Sequence, residues 1–328
     1  MYGGTFNPLH LGHVSCIIQG SALCEELYVV LCHSNNPEEV PYQERLRWLK
    51  QLTKDMENVK VIEVFDDSDD KSSYDWETGR DDILKAIGKD IDLVISGDDY
   101  RGIERLEKLY PNAIIKYIPR NDIDISSTEI RENPIGRFDY IAKVAQPYYV
   151  KKIVVVGTES SGKSTLVRNL AKYYNTICLE EVGRDVCESA GGIDNMIPSD
   201  FAEILYRHKV AELEAIKKAN KYLFIDTEAL VTQYYLTLQF QGTGINYLNE
   251  SRLSSDIAKL NKYDLVIFLE PDVKWIQDGT RTYGDEEVRF ENNEFLKAEL
   301  KKHGVEFISV SGDYQKRFEE VVCFTNWL

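Results

Sequence analysis

The feature that most restricts the fold is Gly157-Thr158-Glu159-Ser160-Ser161-Gly162-Lys163-Ser164, a match to GxxxxGK[ST] between the apolar run Lys151–Val156 and a stretch of helical periodicity. Average residue usage makes a chance match in a chain of 328 residues about a 1% event. In a turn of this kind the glycines let successive backbone N–H groups converge on a phosphate, and the following helix N-terminus adds partial positive charge. Gly157, Ser160, Ser161 and Gly162 then line the cradle, with Lys163 reaching the β- and γ-phosphates, Ser164 ligating Mg²⁺ and Thr165 beside them. A buried parallel strand has to deliver the chain to such a turn, so the surroundings are expected to be α/β.

The rest of the chain repeats that alternation. Apolar runs at Leu27–His33, Val59–Val64, Asp92–Gly97 and Ala113–Ile118 read as buried parallel strands. Between them Gly12–Glu25, Tyr42–Met56, Trp76–Ile87 and Asp99–Lys108 carry apolar residues at three and four spacing, as crossover helices do. Weak signals from Asn133 to Pro147 separate this half from a second series, with strands expected at Thr176–Glu180, Tyr222–Asp226, Asp264–Glu270 and Glu306–Ser311. Its helices are expected near Asp200–Ala219, Glu228–Phe240, Ser251–Asn261 and Glu291–His303, after Gly162–Tyr174. Pro147 lacks a ladder donor and disfavours helix before it, so the boundary is placed there, dividing the chain into residues 1–146 and 147–328.

Charge narrows the partners. With 39 Lys plus Arg against 55 Asp plus Glu, the net charge of −16 repels a nucleic-acid backbone, and any anion must be gripped locally. No stretch approaches 18 consecutive apolar residues and no cleavable leader is evident, so a cytoplasmic protein without membrane contact is expected. Six cysteines without a CxxC pair read as reduced structural thiols. Nine acidic and two basic residues between Glu63 and Asp82 read as a solvated loop. Whether the chain forms a homo-oligomer is left open.

Further candidates in the second half cluster around the cradle. Tyr222–Asp226 is an apolar strand ending in a carboxylate, which places Asp226 either on Mg²⁺ or as the base that takes a proton from a substrate hydroxyl. Glu181 and Arg184 follow another strand and suit a ribose or phosphate, or a plain surface ion pair. Trp275, Asp278, Arg281 and Arg289 flank a Gly-containing polar stretch that suits a lid carrying arginines onto a transferring phosphoryl group, or else an exposed loop.

The first half has its own dense motif, Gly3-Gly4-Thr5-Phe6-Asn7-Pro8-Leu9-His10-Leu11-Gly12-His13. The glycines permit close approach of backbone to a nucleotide, and His10 and His13 bracket a helix start where two imidazoles and helix N–H groups can stabilise charge on an α-phosphate during in-line attack. Two histidines so spaced can instead ligate a metal, although no third ligand is evident. Ser126, Ser127 and Thr128 sit at a helix start with Arg131 on its first turn, a combination suited to phosphate grip.

On these residues the chain resembles the nucleotidylyltransferase superfamily, through His10-Leu11-Gly12-His13 and the SSTxxR-like Ser126–Arg131. The fused phosphate loop, Glu181–Arg184, Phe224-Ile225-Asp226-Thr227 and Asp278-Gly279-Thr280-Arg281 narrow the resemblance to the NadR-type bifunctional family over nearly the whole chain. The resemblance implies a Rossmann-like adenylyltransferase domain followed by a P-loop kinase domain, each with a parallel sheet. It implies phosphorylation of nicotinamide riboside by ATP to nicotinamide mononucleotide, then adenylylation to NAD and pyrophosphate, with Mg²⁺. His10 and His13 would contact ATP phosphates, Gly97 and Asp98 would approach the nucleoside, Asn7 would touch substrate, and Trp76 would stack on the nicotinamide ring or pack inside.

Three departures accompany it. Only Met1 and Tyr2 precede the glycine turn, so the first strand supporting His10 and His13 is expected to be short. The N-terminal helix-turn-helix of some members is not expected here. Glu228 stands where many members have Asp, which leaves the base open between positions 226 and 228. Two other readings share the same motifs: a kinase and adenylyltransferase for a flavin or pantetheine precursor, and a regulator that binds ATP and NAD without turnover.

Overall fold

The computed structural model describes residues 1–36, 39–65, 75–98, 101, 105–119, 123, 125–275 and 285–328. The chain divides into two units, Met1–Tyr149 and Val150–Leu328.

The first unit is a parallel five-stranded sheet in the order β3-β2-β1-β4-β5, with β1 Tyr2–Gly4, β2 Leu27–His33, β3 Val59–Phe65, β4 Leu93–Gly97 and β5 Ile114–Ile118. The strand order reverses beside β1, the switch point at which open α/β sheets form their ligand crevice. The short first strand is central: Tyr2–Gly4 pairs with Val29–Leu31 on one side, and Tyr2 with Ile95 on the other. Two further main-chain bonds extend its hold, from the Met1 nitrogen to Leu93 O (2.6 Å) and from Ile95 N–H to Met1 O (2.8 Å). Three residues therefore suffice to aim the glycine turn, because both neighbouring strands lock them.

The second unit repeats the architecture in the order β10-β9-β6-β8-β7, with β6 Lys151–Val156, β7 Cys178–Leu179, β8 Tyr222–Asp226, β9 Leu265–Leu269 and β10 Ile308–Val310. Ile153–Val156 and all of β8 are buried, as unbroken apolar runs in a sheet covered on both faces should be.

Strands β2 and β8 and the helix Trp76–Ile87 match their sequence expectations residue for residue. Elsewhere the ends move. The run expected at Thr176–Glu180 is a strand only at Cys178–Leu179, because the Thr176 hydroxyl donates to Tyr222 O (2.6 Å) and accepts from Asn220 N–H (2.9 Å). Of Asp99–Lys108, residues 99–100 and 102–104 lie outside the described residues, and a helix is found at Arg105–Leu109. Pro147 lies within the short helix Gln146–Tyr149, whose first turn has no use for the missing N–H, and the units part just beyond it. Besides Gln146–Tyr149, the α-helices Gly183–Ser189 and Tyr314–Thr325 carried no expectation, the latter capped by Asp313 accepting from Lys316 N–H (2.9 Å). All six cysteines are free thiols, and no helix among the described residues is long and apolar enough to cross a membrane.

Candidate active sites

In the first unit the glycine turn leaves β1 and runs into the helix Leu11–Ser21, capped by His10. The imidazoles hold each other. His10 Nδ1 accepts from Gly12 N–H (3.2 Å), the His10 amide donates to His13 Nδ1 (3.3 Å), and the rings stack with centroids 3.7 Å apart. With both Nδ1 atoms accepting, the bonding assigns the Nε2–H tautomer to each neutral ring. Phe6 is fully buried at φ 49°, its ring edge-on to His13 at 5.0 Å, so it can meet a ligand only through its backbone.

The helix Ser127–Glu132 closes on this turn. Ser126 and Glu129 form a reciprocal capping box, and Arg131 donates to Asn7 O (2.5 Å) and Thr128 Oγ1 (3.0 Å). Ser127 Oγ bonds Pro8 O (3.4 Å), and Asn7, 3% exposed, accepts Val40 N–H through Oδ1 (3.3 Å). The two halves of the motif, 124 positions apart at Asn7 and Arg131, thus meet through direct bonds.

Gly97 ends β4, and Asp98 beyond it forms an ion pair with Arg101. Trp76 heads the helix capped by Asp75 and is 42% exposed, with the Arg105 guanidinium 4.3 Å from its ring centroid. The interior alternative for this indole is therefore corrected: the ring lies at the surface.

In the second unit the phosphate loop joins β6 to the helix Lys163–Tyr173. Gly157 takes φ 148°, and a Cβ there would lie 2.8 Å from Leu269 O. Ser160 and Gly162 also have positive φ, and Ser161 Oγ donates to Thr158 O (2.8 Å). Lys163, 7% exposed, turns its ammonium onto Thr158 O (3.0 Å). Ser164 and Thr165 follow in the first helical turn.

Asp226 sits opposite Val155 in the ladder, which brings its carboxylate to the same strand ends as the loop. It is fully buried, and its Oδ2 has no hydrogen-bond partner among the described residues. The Glu228 carboxylate is used differently. It caps the helix Ala229–Phe240 by accepting from Leu230 N–H (2.7 Å), and burial pushes its pKa up to about 7. His208 meets Asp226 O at 3.3 Å, and burial holds its imidazole below the usual histidine value. Glu181, His208, Thr227, Glu228 and Asn261 line one pocket beside Asp226, whereas Arg184 is exposed on the helix that follows.

Trp275 Nε1 donates to Glu159 in the loop (3.4 Å), which ties Trp275 to the cradle. Asp278 and Arg281 lie outside the described residues. Arg289 is buried and donates to Val273 O (3.2 Å), so it is a strut and not a lid arginine.

Sequence reasoning missed two residues at these sites. Arg45 and Arg317 are each 1% exposed. Arg45 donates to Thr5 O (2.8 Å) and pairs with Glu39 (3.0 Å). Arg317 donates to Ser161 O (2.5 Å) and Glu270 O (2.8 Å) and pairs with Asp272. Both lie on helices whose pattern marks them as ordinary charged positions, so no local signal distinguishes them.

Fold and sites together define a two-unit α/β protein with an HxGH-type nucleotidylyltransferase site and a P-loop kinase-like site. Residues 1–133 match a cytidylyltransferase-like family and residues 152–317 an AAA-domain family. The trifunctional NAD biosynthesis/regulator protein NadR of Escherichia coli (strain K12) is 30% identical over 96% of this chain and 79% of its own length. The fold matches crystal structures of a NadR protein in complex with NR (TM-score 0.81, 23% identity, 98% of this chain and 94% of that one) and with NAD and AMP-PNP (TM-score 0.78, 24% identity, 98% and 93%). The chain belongs to the NadR family.

Proposed function

We propose that this protein is a bifunctional NAD salvage enzyme. Residues 147–328 phosphorylate nicotinamide riboside with ATP, and residues 1–146 adenylylate the resulting mononucleotide to NAD with release of pyrophosphate. The observation that supports this reading is the presence, in one chain related over 96% of its length to NadR, of two separate glycine-containing turns at the carboxyl ends of parallel sheets, each suited to phosphate.

In the kinase half the cradle from Gly157 to Ser164 grips the ATP phosphates, with Lys163 swinging from Thr158 O onto the transferred group. Asp226 accepts the proton of the riboside hydroxyl; Glu228 does not compete, because its carboxylate is engaged in a helix cap. Glu181, in the pocket beside Asp226, holds the ribose, and Arg184 on the helix that follows serves ribose or phosphate; Trp275 and Asp278 are assigned to substrate and Arg281 to phosphate. Mg²⁺ fits here, since the buried Asp226 Oδ2, without a partner among the described residues, requires a cation or donor and Ser164 offers a hydroxyl. When bound, the ion neutralises phosphate charge.

In the adenylyltransferase half the mononucleotide phosphate attacks the α-phosphate of ATP and pyrophosphate leaves, a displacement that needs positioning and charge stabilisation but no protein nucleophile. The Nε2–H groups of His10 and His13 supply donors for the developing charge. Gly3, Gly4, Thr5 and Phe6 supply close backbone approach, and Ser126, Ser127, Thr128 and Arg131 receive the β- and γ-phosphates. Asn7, Gly97, Asp98 and the exposed face of Trp76 contact the nucleosides.

The test is direct. Incubation with nicotinamide riboside, ATP and Mg²⁺ followed by chromatography is expected to yield mononucleotide and then NAD. Absence of both products overturns the proposal, and mononucleotide without NAD leaves only the kinase half.

A further inference from the structure

Arg317 lies on the last helix, Tyr314–Thr325, 156 positions after the residue whose carbonyl it holds. Its guanidinium meets three acceptors from three segments: Ser161 O in the phosphate loop (2.5 Å), Glu270 O at the end of β9 (2.8 Å), and the Asp272 carboxylate. Asp272 is itself fixed, since its other oxygen accepts Gly312 N–H (2.6 Å). A planar fork held at both terminal nitrogens by acceptors from three segments is fixed in orientation, although its Nε–H has no partner among the described residues.

That orientation has a consequence one bond away. In a planar trans peptide the carbonyl and the following N–H point in opposite directions. With the Ser161 carbonyl drawn back onto Arg317, the Gly162 N–H is turned the other way, away from the arginine. We propose that Arg317 is a positioning residue for phosphoryl transfer in the second unit: by holding the Ser161–Gly162 peptide plane it keeps a main-chain donor aimed at the nucleotide phosphates. It rests on the kinase reading above and adds to it a residue outside the phosphate-loop motif.

The first unit contains the same device. Arg45, equally buried, holds Thr5 O (2.8 Å) with Glu39 as its carboxylate (3.0 Å), which turns the Phe6 N–H away from the arginine. Arg45 and Arg317 are the two largest fully buried side chains among the described residues, and each grips a carbonyl of a phosphate-binding turn. Burying a guanidinium carries a desolvation cost that a hydrophobic residue would not, and at both turns the guanidinium is spent on a backbone carbonyl and a carboxylate, which fits a directional role.

The experiment uses the full chain with Arg317→Lys and Arg317→Met. Lysine keeps the charge and much of the buried stem, but its donors radiate from one nitrogen and cannot reproduce the spread, planar two-nitrogen grip of the guanidinium. Riboside phosphorylation is followed as kcat and KM at 10 °C, alongside Mg·ADP titration in which Lys163→Ala marks the binding due to the second unit. For the Lys variant kcat and ADP affinity are each expected to fall about tenfold, with riboside KM within about twofold of wild type; for the Met variant the fall is about 100-fold, approaching removal of a direct donor. A Lys variant within about twofold of wild type in both kcat and ADP affinity overturns the proposal. So does a defect that disappears on cooling, which would mark a role in stability alone. If the wild-type chain leaves the riboside unphosphorylated, the functional reading fails, while the ADP titration still decides the role of Arg317.

Discussion

The amide of His10 donates to Nδ1 of His13 at 3.3 Å while their rings lie stacked 3.7 Å apart, so each imidazole is oriented by the other. Removing one therefore does more than delete a donor: it also releases the capping geometry at the helix start.

His13→Ala is expected to lower NAD formation from mononucleotide by about 10²–10³-fold and to leave riboside phosphorylation unchanged. Lys163→Ala is expected to do the opposite. Parallel assays of both half-reactions on each purified variant check the pair; loss of both activities in a folded variant would contradict separate sites.

Gly157→Ala strains a backbone at φ 148° and forces a methyl to 2.8 Å from Leu269 O. A cost of about 1–3 kcal/mol in the stability of the second unit follows, together with weaker ADP binding. Thermal unfolding with and without ADP measures both.

Glu228 gives a pH signature. Its folded pKa of about 7 lies above the ordinary 4.5, so the folded state binds a proton that the unfolded state has released. Its contribution favours the fold below about pH 4.5, declines as pH rises to about 7, and is lost above that, by at most about 3 kcal/mol. Glu228→Gln keeps an oxygen for the Leu230 cap and cannot ionise. It is expected to be more stable than wild type at pH 8 and to match it near pH 4.5, as read from denaturant unfolding across that range.

Asp226→Asn places an amide where a buried oxygen has no partner among the described residues. Riboside phosphorylation is expected to fall by at least about 100-fold while NAD formation from mononucleotide persists. Retention of kinase turnover would remove Asp226 from both its proposed roles.

The layout of this protein was legible in its residues. Apolar runs such as Leu27–His33 and Tyr222–Asp226 appear as strands with the expected ends, and both phosphate turns fall between a strand and a helix. Such features are local: strand burial needs consecutive apolar residues, and a turn that admits phosphate needs glycines within a few positions. Tertiary structure alone decided the rest. It put Trp76 at the surface, tied Arg131 to Asn7, drew Arg45 and Arg317 behind the two turns, and raised the Glu228 pKa by burial. A hydrogen bond between Ser161 and Arg317 leaves no periodicity in a chain that separates them by 156 positions, and burial of a carboxylate depends on everything packed around it.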